Sequence, residues 1–91
     1  MILVGIDIGK KQHTFSIIDK GTGEILSNPS VFNNNQKGFL LLIGKLSSYV
    51  KSELLIGMED TGHYHFALLK YLLERHYTVA LINPTTTDLT R

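Results

Sequence analysis

Apolar residues dominate the first stretch of the chain, Met1 to Lys10, and polar residues interleave with them afterwards. The opening stretch is nearly continuous in aliphatic side chains, which predicts a strand covered on both faces. Partial alternation from Gln12 to Ile18 predicts a second strand. Asp19 to Gly23 has the composition of a tight turn, and Glu24 to Phe32 reads as a third strand. Short connections favour an antiparallel meander, with Pro29 on an edge strand or at a bulge.

The next stretch has the spacing of an amphipathic helix. It follows candidate N-caps at Asn33 to Asn35 and covers roughly four turns. Its apolar positions recur at intervals of three and four residues: Phe39, Leu42, Ile43, Leu46, Tyr49 and Val50. Gly38 and Gly44 are mild liabilities within it, because glycine disfavours helix interiors.

A second helix is predicted between two further apolar strands. Glu53 to Glu59 and Tyr77 to Ile82 are the strands, and the helix runs from about Gly62 to Arg75 behind cap candidates Asp60 and Thr61. Its inward residues are expected to be Phe66, Leu69, Leu72 and Leu73. Strand, helix, strand order implies parallel strands with right-handed crossovers. The chain is therefore expected to be an α/β protein with a mixed five-stranded sheet and flanking helices.

Composition and charge narrow the function only slightly. The 91 residues are 43% hydrophobic and 19% charged, which suits one small globular domain, either whole or part of a larger one. The net charge of +1 neither supports nor excludes nucleic-acid binding. No apolar run approaches the ~20 residues of a membrane span, and no secretory leader precedes the first strand. Cysteine is absent, from which we expect a cytoplasmic protein without a thiolate metal site.

Two carboxylates end two of the predicted strands. Asp7 interrupts the apolar opening, where a buried charge must be compensated by a cation, a metal or hydrogen bonds, or be protonated. A strand-end Asp that hydrogen-bonds the following turn is the alternative. Glu59 likewise follows an apolar run and a glycine. On parallel neighbouring strands, ~4.8 Å apart, the two carboxylates could share one divalent cation, which suits magnesium and phosphoryl-transfer chemistry.

Three stretches carry a resemblance to a known family: VGIDIGK near the start, GMEDTGHY in the middle and LINP near the end. They resemble the N-terminal RuvC-like domain of the DEDD transposases, the Piv/MooV-related recombinases of one insertion-sequence family. The resemblance covers essentially the whole chain and implies a ribonuclease H-like fold. Residues 1–91 would form the N-terminal part of that domain, which would be incomplete at its C-terminal side.

The resemblance also implies a function. Asp7 and Glu59 match the first two acidic residues of the family and would be catalytic ligands of Mg²⁺, with Mn²⁺ as the alternative. Two further aspartates belong to a downstream motif that does not occur before Arg91, and Asp88 lacks its context. A serine in a separate domain and a guide noncoding RNA would complete a DNA recombinase that cleaves and exchanges strands. The chain alone is expected to be inactive, and apolar surface left by an incomplete domain favours a homo-oligomer.

Four more residues are candidates for nucleic-acid contact. Lys10 and Lys11, just past Asp7, could meet a phosphate, although a solvated turn explains them equally well. Thr61 and Gly62 could contact a nucleic-acid backbone, although helix capping and a close turn are favoured. His63 and His65 are unsuited to joint metal binding unless the segment is still extended, because positions i and i+2 do not face each other on a helix.

Three alternative functions remain open at this point. Actin-like and sugar-kinase ATP-binding domains also begin with Gly, Ile, Asp, x, Gly, but Lys10 stands where they usually have Thr or Ser. A Holliday-junction resolvase relative would share the fold and metals without a serine step. A noncatalytic ribonuclease H-like module would tolerate Asp7→Asn and Glu59→Gln.

Overall fold

The computed structural model describes residues 1–59 and 63–82, which form five strands and two α-helices. The strands are β1 (Ile2–Asp7), β2 (Gln12–Asp19), β3 (Ile25–Asn33), β4 (Leu54–Glu59) and β5 (Val79–Ile82). The helices are α1 (Gln36–Leu46) and α2 (Phe66–Glu74), and a short 3₁₀ turn, Lys51–Glu53, precedes β4. The predicted elements are confirmed in kind and order.

The five strands form one mixed sheet in the order β3-β2-β1-β4-β5. The pairs β1/β2 and β2/β3 are antiparallel, whereas β1/β4 and β4/β5 are parallel. Pro29 lies in the edge strand β3, whose pairing with β2 contains register shifts, as expected for a residue that cannot donate to a ladder. We call the end at which β1, β3, β4 and β5 finish the carboxyl end of the sheet.

Both helices pack on the same face of the sheet. The core combines the buried strand residues Val4, Ile6, Phe15, Ile17, Ile56 and Met58 with the buried helix residues Phe39, Leu42, Leu46, Leu68 and Leu72. The opposite face, which we call the open face, carries the alternate residues and is not covered by any described element. The prediction that β1 is covered on both faces is therefore wrong for the described residues. Leu3 and Gly5 are only half-buried, and Asp7 is exposed.

Helix α1 begins behind a single well-defined cap. The side-chain oxygen of Asn35 accepts a hydrogen bond from the Gly38 backbone N–H at 2.8 Å. The helix ends at Leu46, so it has about three turns rather than four. Tyr49 and Val50, which had been expected on its apolar face, lie beyond its end, and Val50 is exposed.

Gly38 is a requirement of the packing, not the mild liability that its helical position suggested. It is buried in the first turn of α1, against the last residue of β3. A Cβ atom at position 38 would overlap the backbone carbonyl oxygen of Asn33 and lie 2.7 Å from its nitrogen. A Cβ atom at Gly44 in the same helix would meet nothing within 4 Å. Gly44 therefore affects stability only through the low helix propensity of glycine.

Removing the α1 cap tests how much this helix start contributes to stability. We expect Asn35→Ala to lower the free energy of unfolding by about 1 kcal/mol, because the Gly38 N–H loses its partner. Asn35→Asp keeps an acceptor at the same position and should stay within a few tenths of a kcal/mol. Urea unfolding of the three chains measures both, and equal losses in the two variants would contradict a capping role.

Helix α2 differs from the prediction in its start and in its buried face. It begins at Phe66, and its buried residues are Leu68 and Leu72, whereas Phe66 and Leu73 are exposed. His65, just before the helix, is buried and takes the position one turn before Leu68. The leucine-rich sequence offered two possible apolar faces, and the buried one is the face that includes His65. The proposed caps Asp60 and Thr61 lie outside the described residues.

At the end of the sheet opposite the carboxyl end, two basic side chains pack on tyrosine rings. The Arg75 guanidinium lies 3.5 Å from the centroid of the Tyr71 ring, and Lys51 Nζ lies 4.6 Å from that of Tyr77. Lys51 also donates a 2.7 Å hydrogen bond to the Arg75 carbonyl oxygen. Burial raises the pKa of the Tyr77 hydroxyl above its ordinary value.

Neither helix of the described residues 1–59 and 63–82 is long and apolar enough to span a membrane.

Candidate active site

Asp7 and Glu59 are direct neighbours at the carboxyl end of the sheet. Strands β1 and β4 pair in parallel with Asp7 opposite Glu59, and each residue is the last of its strand. The Ile8 N–H donates a 3.1 Å hydrogen bond to the Glu59 carbonyl oxygen, which extends the pairing one step past the two acids. Because the residues are in register, their side chains leave the sheet on the same face.

The space around the two carboxylates is kept open by small residues. Gly5 and Gly57 precede them by two positions on the same face and also lie opposite each other. A Cβ atom at Gly5 would lie 3.8 Å from the Ser16 hydroxyl oxygen, and one at Gly57 would lie 3.3 Å from the Ile82 side chain. Gly5 is only half-buried and therefore leaves backbone accessible beside the acids, whereas Gly57 is buried next to the Ile82 side chain.

A cavity of about 260 Å³ runs across the open face and includes both carboxylates. It is also lined by the Thr14 and Ser16 side chains of β2, by Pro29 of β3 and by Ile82 of β5. Thr14 lies opposite Asp7 in the β1/β2 pair. The row across the sheet therefore places two carboxylates and a hydroxyl group on three adjacent strands.

The interpretation of Asp7 as a buried charge that needs compensation is wrong. Asp7 and Glu59 are both exposed, and both face the cavity on the open face. Solvation explains how two carboxylates can lie side by side. Like charges directly opposite each other still destabilise a sheet, so the pair costs stability that a bound cation would restore.

The two side chains fit part of a site for a hard divalent cation. Exposed carboxylates on strands ~4.8 Å apart offer the oxygen ligands that Mg²⁺ prefers. No group of three or more His, Cys, Asp and Glu side chains that could hold a metal occurs within the described part of the chain. Asp7 and Glu59 can therefore supply two ligands, and any further protein ligands must come from other residues.

Comparison with known proteins identifies the family of this chain. A family model described as a transposase, of the IS110-type DEDD class, matches residues 4–91. The chain belongs to the IS110-type DEDD transposase family. This match confirms the family predicted from the VGIDIGK, GMEDTGHY and LINP stretches. Nucleases of the DEDD and RuvC-like kind depend on divalent metal ions.

Solved structures with the same fold include Holliday-junction resolvases. RuvC from T. thermophilus in complex with a Holliday junction substrate has a TM-score of 0.67 at 13% identity, covering 93% of this chain and 66% of that one. The Fowlpox virus resolvase in complex with Holliday junction DNA has a TM-score of 0.54 at 19% identity, covering 93% and 62%. Pelota from Archaeoglobus fulgidus has a TM-score of 0.53 at 16% identity, covering 90% and 26%.

The similarity to these structures confirms the ribonuclease H-like fold that was predicted from the sequence of this chain. The chain spans just under two thirds of the length of the two resolvases. No curated protein matches the chain in sequence.

Two of the four residues that were predicted to contact nucleic acid lie in the described part of the chain. Lys10 and Lys11 are exposed in the turn between β1 and β2, at the carboxyl end of the sheet and next to Asp7. Thr61 and Gly62 lie outside the described residues, so their roles stay predictions. His65 is buried whereas His63 is exposed, so the two histidines do not present themselves to one ligand.

Sequence reasoning missed Thr14 and Ser16 as members of the cavity. Alternation along β2 was the available signal, because it puts both hydroxyl residues on the face opposite the buried His13, Phe15 and Ile17. The alternation could not show which face would be open, since that depends on where the helices pack.

Proposed function

We propose that Asp7 and Glu59 are catalytic metal ligands of a transposase that cleaves and exchanges DNA strands. The observation that carries this proposal is their register pairing at the ends of two parallel strands, on the open face. Membership in a transposase family supports the reaction. Structures of the same fold solved with Holliday junction DNA support DNA as the substrate.

The residues of this chain have distinct tasks in such a reaction. Asp7 and Glu59 would hold the metal and act as ligands rather than as proton carriers. Gly5, which is only half-buried, lets a phosphodiester approach the sheet backbone beside them. When bound, Mg²⁺, with Mn²⁺ as the alternative, supplies Lewis-acid polarisation of the phosphoryl oxygens and activation of the attacking oxygen.

Completion of the site requires groups beyond the described residues. Residues 1–91 would form the N-terminal part of the catalytic domain, and two further aspartates would follow in the complete protein. A serine in a separate domain, a guide noncoding RNA and a homo-oligomeric state are the family properties that we carry over as proposals. Asp88 is not assigned to the site, and a cytoplasmic location stays a prediction.

The charge distribution favours a polyanionic partner at the carboxyl end of the sheet. Lys10 and Lys11 lie in the β1/β2 turn, and Lys37 lies in the first turn of α1 at the same end. At the opposite end, four described acidic residues are balanced by four basic ones, so lysines exceed the acids other than the proposed ligands only at the carboxyl end. The acidic residues are Asp19, Glu24, Glu53 and Glu74, and the basic ones are Lys20, Lys45, Lys51 and Arg75. Lys10 and Lys11 are therefore proposed to contact DNA phosphates. Thr61 and Gly62 are separately proposed to contact the nucleic-acid backbone.

The alternatives differ in what they require beyond this fold. The family match separates the chain from actin-like and sugar-kinase ATP-binding domains, for which the geometry of two carboxylates offers no specific support. A Holliday-junction resolvase relative would use the same two carboxylates but no serine. Serine replacement in the complete protein distinguishes these two reactions, because only the transposase would lose strand exchange.

Metal titration of the chain tests the proposed ligands without requiring activity. We expect millimolar Mn²⁺ to broaden the NMR signals of Asp7, Glu59 and their sheet neighbours, because a paramagnetic ion bound there relaxes nearby nuclei. Mg²⁺ should compete, and Asp7→Asn should weaken the effect. Asp19 and Glu24, at the other end of the sheet, provide an internal control. Equal or stronger broadening around those two residues would contradict a specific site.

A further inference from the structure

Three aromatic side chains are exposed just before and at the start of α2. Phe66 is 61% exposed and Tyr64 is 43% exposed, and His63 is exposed beside them. The His63 ring lies 11° from parallel to the Phe66 ring, with centroids 6.4 Å apart. The buried His65 ring also contacts Phe66, with centroids 4.3 Å apart and an angle of 31° between the ring planes. Phe66 is thus held by neighbouring rings while most of its surface faces solvent.

These rings lie at the same end of the sheet as the proposed metal ligands. Strand β4 ends at Glu59, and α2 begins at Phe66 and runs back toward the other end. The four Cα-to-Cα steps from Glu59 to His63 can span at most about 14 Å. The exposed rings are therefore within a few nucleotides of the carboxylate pair.

The charges at this end select among possible partners of the aromatic surface. Lys10, Lys11 and Lys37 are at the carboxyl end, where Asp7 and Glu59 are the acidic residues of the described chain, whereas the acidic residues at the opposite end are balanced by an equal number of basic ones. A polyanion is therefore favoured over an acidic protein surface that offers only a few charges. The partner must also present flat apolar groups, because aromatic rings gain most from stacking on other rings.

We infer that Tyr64 and Phe66 form a stacking platform for unpaired bases of the nucleic-acid strand that leads to or from the active site. A nucleic-acid strand combines a phosphate backbone for the lysines with base faces for the rings. The bases must be unpaired, since the faces of paired bases are already covered by their neighbours in the duplex. This inference rests on the proposed function for its choice of partner.

Binding measurements with matched oligonucleotides test the platform. The chain is titrated, in low salt and with a chelator, into a labelled 20-nucleotide DNA strand, a chain of abasic nucleotides of equal length, and a blunt duplex. We expect Phe66→Leu and Tyr64→Leu each to weaken binding of the base-containing strand by about ten-fold, within the five- to hundred-fold range of single stacking contacts. Binding of the abasic chain and the duplex should not change.

Two variants control for loss of apolar surface and for loss of structure. Leu73→Ala removes a side chain that is 51% exposed at the far end of the same helix, and it should leave binding unchanged. Phe66→Tyr keeps a ring and should keep binding within about two-fold of the original chain. Fluorescence quenching of a 2-aminopurine base in the strand reports stacking directly and should decrease in Phe66→Leu, in which Tyr64 remains.

Several outcomes would overturn the inference. The absence of base-dependent binding by the original chain would do so, as would equal losses of base-containing and abasic strands in Phe66→Leu. A marked drop in the stability of the complete transposase on Phe66→Leu would show that a protein segment covers the ring instead. Asp7→Asn distinguishes this inference from the proposed function. It should abolish DNA cleavage but leave unchanged the binding of the base-containing strand that is measured in the presence of a chelator.

Discussion

Asp7→Asn in the complete transposase is expected to lower the rate of DNA strand cleavage by at least about a thousand-fold. The amide keeps the shape of the carboxylate but loses the negative charge that a hard divalent cation requires of its ligand. Metal-assisted stabilisation of the transition state is worth several kcal/mol, and each 1.4 kcal/mol is a factor of ten in rate. Single-turnover cleavage of a labelled DNA substrate measures the loss, and Glu59→Gln should behave alike.

The matched control for this prediction is Asp19→Asn, which makes the same change at the opposite end of the sheet. Asp19 Oδ1 accepts hydrogen bonds from the N–H groups of Gly21 and Thr22, and an asparagine oxygen can replace it there. Asp19→Asn should therefore cleave DNA normally. Asp7→Asn should not lower the free energy of unfolding, because it removes repulsion from Glu59. Cleavage at more than a tenth of the normal rate in Asp7→Asn would exclude Asp7 as an essential ligand.

Gly38→Ala is expected to lower the free energy of unfolding by about 2 kcal/mol or more. The added methyl group overlaps the backbone carbonyl oxygen of Asn33, which cannot rotate away as a side chain could. The first turn of α1 must then move off the end of β3. Overpacking of this kind costs about 1–3 kcal/mol or more, and it outweighs the gain of about 1 kcal/mol in helix propensity.

Gly44→Ala makes the same chemical change two turns later and should have the opposite sign. Position 44 is exposed and a Cβ atom there meets nothing within 4 Å, so only the propensity gain of about 0.5–1 kcal/mol remains. Urea unfolding of both variants measures the difference. Destabilisation by Gly44→Ala, or stabilisation by Gly38→Ala, would contradict the packing described for α1.

The strands were predictable from the sequence because their apolar patterns are distinct. Continuous runs mark β1 and β4, alternation marks β2, and the turn composition of Asp19 to Gly23 separates β2 from β3. Local pattern could not show which face of β1 would be covered. Both faces carry apolar residues, and the outcome depends on α1 and α2 packing on one side only.

The buried face of α2 was not predictable from helical spacing. Leucines occur at positions 68, 69, 72 and 73, so two neighbouring faces are almost equally apolar. The buried face contains Leu68 and Leu72, together with His65 just before the helix. A histidine inside the core is not a signal that apolar periodicity contains, and Phe66 is left exposed as a consequence.

The carboxylate pair was predictable because each acid ends an apolar strand and the strand order implied parallel pairing. The side-by-side placement of Asp7 and Glu59 was therefore expected from the topology. The contributions of Thr14 and of the glycine pair depend on register across three strands, which no single stretch of sequence contains. The two Lys residues of the β1/β2 turn were located by sequence, and their contact with DNA stays a prediction.

The register of β1 against β4 has a consequence for how this domain can vary in length during evolution. Insertions in the Asp19 to Glu24 turn, or between α1 and β4, lie at the far end of the sheet and leave Asp7 opposite Glu59. Deletion of one residue inside Leu54–Glu59 would turn the glutamate toward the helices, because successive strand residues point to opposite faces. Related chains should therefore differ in the lengths of those two connections, while the six-residue spans ending in the two acids keep their length.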